Sequence, residues 1–367
     1  MNVRTIANDF KPKNRNLNGV WRGYKFKGGQ RTDDVGTVFS VKKKIPLDLV
    51  AADDRLPLEI DGGPTDVIEV PLFEAPRPIL PRVVDVESQA GTGRARPFRG
   101  GSSGGHHSIT AGTNGGFVKW GPSGDWFLLT NAHVGAPHWS TAVKVGDHYL
   151  QPGPHDQGID PVDQVATLAE WAEITMRGAS VPGKKNTMIA KAWWNSVRAL
   201  GNAGARATRC PFRMRVGPRY LEQPWGKNHV DASLQKLLDQ DLIIPEIEGI
   251  GQPQNFGVAP LGGLTNKLGR TTLLTPLICT GVEGVVDVGY GGSNVAEFED
   301  QDIYTHRDGV SAGSAGGDSG SWIVSDDGSE LWSLLFAGGP QQGGPDITIA
   351  NKISDVVAVF GQGMRLT

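Results

Sequence analysis

Cysteine is almost missing from this chain: Cys210 and Cys279 are the only two among 367 residues. Two thiols exclude a disulfide framework and leave room for one bridge at most, with their pairing open. No run of about 18 apolar residues occurs, so no segment reads as a membrane-spanning helix. Met1 to Asn18 is polar and charged and lacks the apolar core of a secretory leader. These absences together suggest a reduced, cytoplasmic protein without a membrane partner. Neither sign of charge is in large excess. The net charge is −3 at neutral pH, so the whole-molecule field does not call for a polyanion. The composition of a helical bundle is absent too. Only 38% of residues are hydrophobic and 51 are glycine, which fits a loop-rich, mainly β chain. The length allows two or three domains.

Residues 1–19 are polar and read as a flexible tail. A small α+β unit is expected over 20–75, with strands at Val35–Val41 and Asp66–Val70 and a short helix between Leu47 and Leu58. Residues 76–107 have the Pro, Gly and Arg composition of a linker that cannot bury a core. From 108 the chain turns to short strands separated by turns, among them Ile109–Thr113, Gly116–Trp120, Trp126–Thr130, 142–150, 163–174 and 229–236. Pro122-Ser123-Gly124-Asp125 supplies a hairpin turn. A first unit is expected over 108–240 and a second over 241–367, with strands at 276–289, 301–306, 320–325, 331–337 and 346–350 and a closing helix at Ile353–Phe360. Residues 176–227 interrupt this pattern. Glu222 is their only acid, Lys and Arg are frequent, and Met188 to Ala203 reads as a helix carrying Trp193-Trp194. Basic plus aromatic composition can serve single-stranded nucleic acid. The segment is read instead as a solvated insertion whose Trp residues pack on the body.

Three motifs carry chemistry. The first is Ala315-Gly316-Gly317-Asp318-Ser319-Gly320-Ser321-Trp322. A serine nucleophile needs a tight turn that exposes its Oγ, and Gly317 permits such a turn without a Cβ clash. Gly320 is expected to leave room for substrate. The amides of Gly317 and Ser319 can point at one spot and hold an oxyanion. Trp322-Ile323-Val324 would fix the turn to a sheet. The second is Thr130-Asn131-Ala132-His133, where an apolar strand ends and presents an imidazole as the general base. The third is Asp231 in His229-Val230-Asp231-Ala232-Ser233, placed to accept a hydrogen bond from the other ring nitrogen. Asp163, at the start of another strand, is the runner-up acid. His106-His107 could hold a metal, but no carboxylate or Cys stands at ligand spacing, so no metal or cofactor is expected.

The order His133, Asp231, Ser319, with Thr-Asn-Ala-His, Asp-Ala-Ser-Leu and Gly-Gly-Asp-Ser-Gly, resembles the trypsin/chymotrypsin-like serine proteases. It is similar to their bacterial and plant branch with a small N-terminal module. Lys42-Lys43-Lys44-Ile45-Pro46, Ile109-Thr110-Ala111-Gly112-Thr113, Gln151-Pro152-Gly153-Pro154, Lys267-Leu268-Gly269-Arg270-Thr271-Thr272 and Leu335-Phe336-Ala337-Gly338-Gly339 resemble segments of that branch. The likeness covers most of 20–75 and 105–362. The basic insertion departs from it and lengthens the His-to-Asp spacing.

The resemblance implies two antiparallel six-stranded β-barrels with the triad between them, and cleavage of protein or peptide substrates through an acyl-enzyme. It implies that Gly313, with Ser314 beside it, floors the primary pocket, and that Phe336, Ala337 and Gly338 pair with the substrate backbone. No carboxylate stands near Gly313 in sequence, so small or medium apolar side chains are expected at the cleavage site. It further implies a buried cation under Asp318 in place of a new N-terminal amine. Arg270 is the candidate, since a guanidinium grips a carboxylate bidentately. The enzyme would then be active without trimming. A second reading makes the same scaffold a binding module that recruits protein or nucleic acid through the N-terminal unit or the basic insertion. The complete triad favours the enzyme. Homo-oligomerisation is left open.

Overall fold

The computed structural model describes residues 2–75, 91–137, 143–177, 223, 227–361 and 363–367. The helix expected over Met188–Ala203, most of the basic insertion, Cys210 and linker residues 76–90 lie outside the described residues. The fold is mainly β. Seven strands form one antiparallel sheet, whose neighbours in order are Gly112–Thr113, Ser103–His106, His148–Leu150, Gln164–Trp171, Ser233–Leu237, Asp125–Thr130 and Gly116–Trp120. A two-stranded parallel ladder joins Phe98–Gly100 to Ile243–Ile247. The third sheet has twelve strands.

Within that large sheet Leu264–Gly269, Trp322–Ser325, Glu330–Gly339, Ile347–Lys352, Val295–His306 and Leu273–Gly289 follow one another, and Leu264–Gly269 also pairs with Leu273–Gly289. The sheet does not stop at these six. Leu17–Lys27, Gln30–Val41, Gly63–Glu69 and Glu59–Ile60 continue outward from Leu273–Gly289. As a whole it is not a barrel, and the strand order does not reduce to the two six-stranded barrels expected from sequence.

Three expectations about residues 1–75 are corrected. Residues 1–19 do not form a tail without structure, because Val3–Phe10 is a helix capped by Asn2, whose side chain accepts the Thr5 N–H at 2.9 Å. Its Val3, Ile6 and Ala7 face one way at helical spacing and pack on Val20, Phe39 and Val285. Residues 20–75 are not a separate unit, since Leu17–Lys27 pairs antiparallel with Leu273–Gly289. The segment Leu47–Leu58 holds two short 3-10 turns, Leu47–Leu49 and Ala52–Asp54, instead of a helix.

Residues 91–107 are not a linker. Phe98 is fully buried against Phe117, and Ser103–His106 pairs with His148–Leu150. The glycines here mark close approach. A Cβ at Gly101 would strike Leu268, and one at Gly104 would strike Asn114 and the Tyr149 hydroxyl. The two large sheets meet at Trp322, which is buried against Gly115 and Gly116 and joins a core with Val118, Leu129, Val230 and Leu334. The helix Ile353–Phe360, found where the sequence places it, closes this core with Ile353, Val356 and Phe360.

Candidate active site

The strand Asp125–Thr130 ends in fully buried Leu128 and Leu129 and a Thr130 hydroxyl that donates to Thr113 O at 2.9 Å. The chain then turns through Asn131 into the single-turn helix Ala132–Gly135, which carries His133. Strand register brings the acid to it. Thr130 pairs with Ser233, so Asp231, two residues earlier, stands beside the start of that helix. The basic insertion between the two is tied at its base. Asn228 accepts the Thr175 N–H at 2.8 Å and donates to Thr175 O at 2.9 Å, and Gln223 donates to Glu173 O at 2.9 Å. The long His-to-Asp spacing therefore does not disturb the pairing of the strands around it.

Asp231 is fully buried and accepts three hydrogen bonds from two residues. His133 gives its backbone N–H to Oδ1 at 3.0 Å and its Nδ1–H to Oδ2 at 2.6 Å. The Tyr290 hydroxyl donates to Oδ2 at 2.8 Å. Burial pushes the Asp231 carboxyl up, but the neighbouring His133 charge and the bonds from His133 and Tyr290 outweigh it and hold Asp231 below the usual carboxylate range. Burial, with the Asp231 charge beside it, holds the Tyr290 hydroxyl well above its ordinary value, so it stays a donor. The ring of Tyr290 packs edge-on to that of His133 and stacks on Phe298, which in turn meets Phe336. No local motif marks Tyr290 in the sequence. Asp163, the other candidate acid, faces elsewhere: it accepts from Arg94 Nε at 2.7 Å and from the Ile159 N–H at 3.0 Å.

Ser319 lies across Gly112 from the His133 helix. A Cβ on Gly112 would come within 2.5 Å of Val134 and 3.0 Å of Ser319 O. Thr113 fastens the serine turn to the first sheet. Its N–H donates to Ser319 O at 2.8 Å and its hydroxyl to Gly317 O at 2.8 Å. Ser319 is 8% exposed, and its Oγ donates to Phe336 O at 3.4 Å. Gly317 has φ +98, and a Cβ there would also meet Thr271 and Arg270. Gly320 has φ +100, and its missing side chain makes room for Thr113 and Thr130, not for substrate. The Asp318 N–H is used by Ala315 O at 3.1 Å, whereas those of Gly317 and Ser319 meet no acceptor among the described residues.

The cation under Asp318 is Lys267, not Arg270. Lys267 Nζ lies 3.1 Å from Asp318 Oδ2, with both side chains fully buried. Asp318 also accepts from the Thr271 N–H at 2.8 Å, the Thr272 N–H at 3.1 Å, the Thr272 hydroxyl at 2.6 Å and the Ala315 N–H at 3.0 Å. Burial raises the Asp318 carboxyl, and Lys267 with these donors overrides it and holds Asp318 low. The correction is one of parity. Lys267 is an inward position of the strand Leu264–Gly269, while Arg270 follows the strand's end. Arg270 forks onto Asp156 instead, with Nε 2.6 Å from Oδ2 and Nη2 on Oδ1.

The expected pocket residues come together in part. Ser314 Oγ is 2.8 Å from Thr348 Oγ1, and a Cβ on Gly313 would lie 2.9 Å from the same hydroxyl. Thr348 pairs with Gly338. Phe336 and Ala337 are buried, and the edge at Gly338 is already taken: Phe73–Glu74 lies along it, Glu74 paired antiparallel with Gly338. The same short strand pairs with Val288 and Gly289, and the Ala75 N–H donates to Gly289 O at 2.9 Å. Cys279 is a free, buried thiol, pushed up by burial. Among the described residues no helix is long and apolar enough to cross a membrane.

No family model matches the chain, and none of the curated proteins is similar to it in sequence. Among solved structures it is similar to Thermobifida fusca protease A, at 14% identity and a TM-score of 0.40, over 73% of this chain and 97% of that one. It is similar to a glutamic-acid-specific serine protease that uses a histidine triad in substrate binding, at 15% identity and a TM-score of 0.43, over 74% and 100%. A Cellulomonas bogoriensis chymotrypsin matches at 13% identity and a TM-score of 0.40, over 73% and 97%. These solved structures are proteases by name. At such TM-scores the likeness carries no argument, and the functional reading rests on the residues.

Proposed function

We propose that the chain is a serine endopeptidase that cleaves peptide bonds through an acyl-enzyme at Ser319. The observation that carries this is the buried His133–Asp231 pair on one side of Gly112, with a serine on a glycine-framed turn on the other. In this reading Ser319 Oγ attacks the scissile carbonyl and His133 Nε2 takes its proton. Asp231 fixes the tautomer and stabilises the imidazolium. The Gly317 and Ser319 N–H groups hold the oxyanion. His133 then returns the proton to the leaving amine, and water repeats the sequence to free the acyl group.

Lys267 supports a turn that is formed without an N-terminal amine, so the enzyme would be active without trimming. Gly313 and Ser314 would floor the primary pocket, which suits small or medium apolar side chains. The substrate backbone would add to Phe336–Gly338 as an extra strand, in the place where Phe73–Glu74 now lies. Substrate and this inner segment would therefore compete for one edge.

A peptide-library profile tests this reading. Cleavage after small or medium apolar residues, lost in Ser319→Ala, is the expected result. Cleavage dominated by Arg, Lys or Glu would refute the pocket assignment. Hydrolysis that persists in Ser319→Ala would refute the nucleophile.

A further inference from the structure

A second group of reactive side chains lies at the end of the strand Ser103–His106. That strand pairs antiparallel with His148–Leu150, with Tyr149 opposite His106, and the His107 N–H donates to His148 O at 3.1 Å. The register sets the dipeptide His106-His107 against His148-Tyr149, with Asp147 one residue beyond the pairing. Within a strand, neighbouring side chains would point to opposite faces. Here the strand ends at His106 and His107 opens a turn, so the two rings converge, with centroids 4.3 Å apart and planes 32° apart. The carboxylate that is missing near His106 in sequence is supplied by Asp147, the residue before the paired strand. His106 Nε2 lies 3.3 Å from Asp147 Oδ2, and one donor atom each from His106, His107 and Asp147 fall within 4.8 Å of one another.

We propose that His106, His107 and Asp147 bind a dication of the zinc class at this strand junction, with the fourth position open to solvent. The spacing fits. Bonds of about 2.0–2.1 Å at tetrahedral angles separate adjacent donors by about 3.3–3.4 Å, which is the distance between His106 Nε2 and Asp147 Oδ2. His106 and Asp147 are buried and His107 is exposed, so a cation has an entry side and two ligands already shielded from water.

Ser108 and His148 surround the group of three. Ser108 Oγ stands 2.7 Å from His106 Nδ1, and the Ser108 N–H donates to the same atom at 3.2 Å, which leaves the ring proton on Nε2. A cation at Nε2 requires the ring proton on Nδ1, where Ser108 Oγ accepts it while the Ser108 N–H gives up its bond to that nitrogen. His148 lies beside His107, outside the group of three. Its ring lies 6.2 Å from that of His107, and its Nδ1 is 2.6 Å from Asp160 Oδ1. Bound here, the cation would lock the strand that leads back to Ser103. Ser103 in turn pairs with Thr113, the residue that fastens Ser319.

Calorimetric titration of zinc into tag-free, chelator-stripped full-length protein tests the proposal, with cobalt absorption as the readout of coordination. The expected result is one equivalent of zinc per chain, tetrahedral cobalt bands and a raised Tm. His107→Ala, at an exposed position where the fold survives, should weaken zinc binding roughly tenfold or more, and Asp147→Asn likewise. Asp300→Asn, in a separate grouping with His229 and Asp355, should leave binding unchanged. Absence of saturable zinc binding in the micromolar range overturns the proposal. So does binding that survives both His107→Ala and Asp147→Asn, or that is lost only in Asp300→Asn.

Discussion

The Lys267 ammonium and the Asp318 carboxylate face each other at 3.1 Å with neither side chain reaching water. Breaking such a pair from one side leaves a bare buried charge, a loss of about 3–5 kcal/mol. Lys267→Met should therefore lower unfolding free energy by that order and lower kcat more than it raises KM, because the Gly317–Ser319 turn is what Asp318 anchors. Urea denaturation with steady-state kinetics checks both. If Lys267→Met is neutral while Arg270→Ala uncouples the turn, the ion-pair assignment fails.

The same carboxylate sets an acid limb. Its folded-state value is held below the ordinary 3.8, so the folded chain binds that proton more weakly than the unfolded chain does. The resulting stability is fully present above the ordinary carboxylate value and is lost as pH falls through the lower folded value. Unfolding free energy measured down through that window should fall less steeply in Asp318→Asn than in the wild type. Equal slopes would contradict the pairing.

Tyr290 is expected to position Asp231. Tyr290→Phe keeps the ring stack and removes one hydrogen bond to a charged group, a net loss of about 1.5–3 kcal/mol, or roughly ten- to a hundredfold. The loss should fall on kcat with KM little changed, and the pH–kcat profile should move, which a purely structural role would not cause. Asp231→Asn should go further, by about four orders of magnitude in turnover as in the general Ser-His-Asp template. A wild-type pH profile in Tyr290→Phe would dismiss the positioning role.

The occupied edge predicts an increase in activity. Ala75→Pro removes the N–H that donates to Gly289 O and loosens Phe73–Glu74 from Gly338. A bond of this kind contributes about 0.5–1.5 kcal/mol, so labelling and kcat/KM should rise roughly two- to tenfold. A folded variant with reduced labelling would mean that the segment builds the site instead of covering it. Deleting 1–105 is a poor substitute, because it strips Leu17–Lys27 from the large sheet.

Much of the site was legible locally. Gly116–Trp120 is the strand expected, Ile353–Phe360 is the helix expected, and His133 and Asp231 meet as their motifs suggest. What stayed hidden depended on neighbours distant in sequence. Gly-rich 100–105 has the composition of a mobile linker, yet its glycines are where other chain segments press closest. Lys267 carries no local sign of its role, which depends on its inward parity in the strand Leu264–Gly269, so the sequence points to Arg270 instead. The helix at Val3–Phe10 was concealed by its polar face, although Val3, Ile6, Ala7 and Phe10 keep helical spacing. Glu74 gives no local sign that it pairs with Gly338.

The most direct measurement is fluorophosphonate labelling of the intact, untrimmed chain, with the adduct mapped by mass spectrometry. The expected result is one adduct per chain, on Ser319, lost in His133→Ala and reduced in Asp231→Asn. An unlabelled folded chain, or an adduct on any other residue, would contradict the assignment of Ser319 as a nucleophile served by His133 and Asp231.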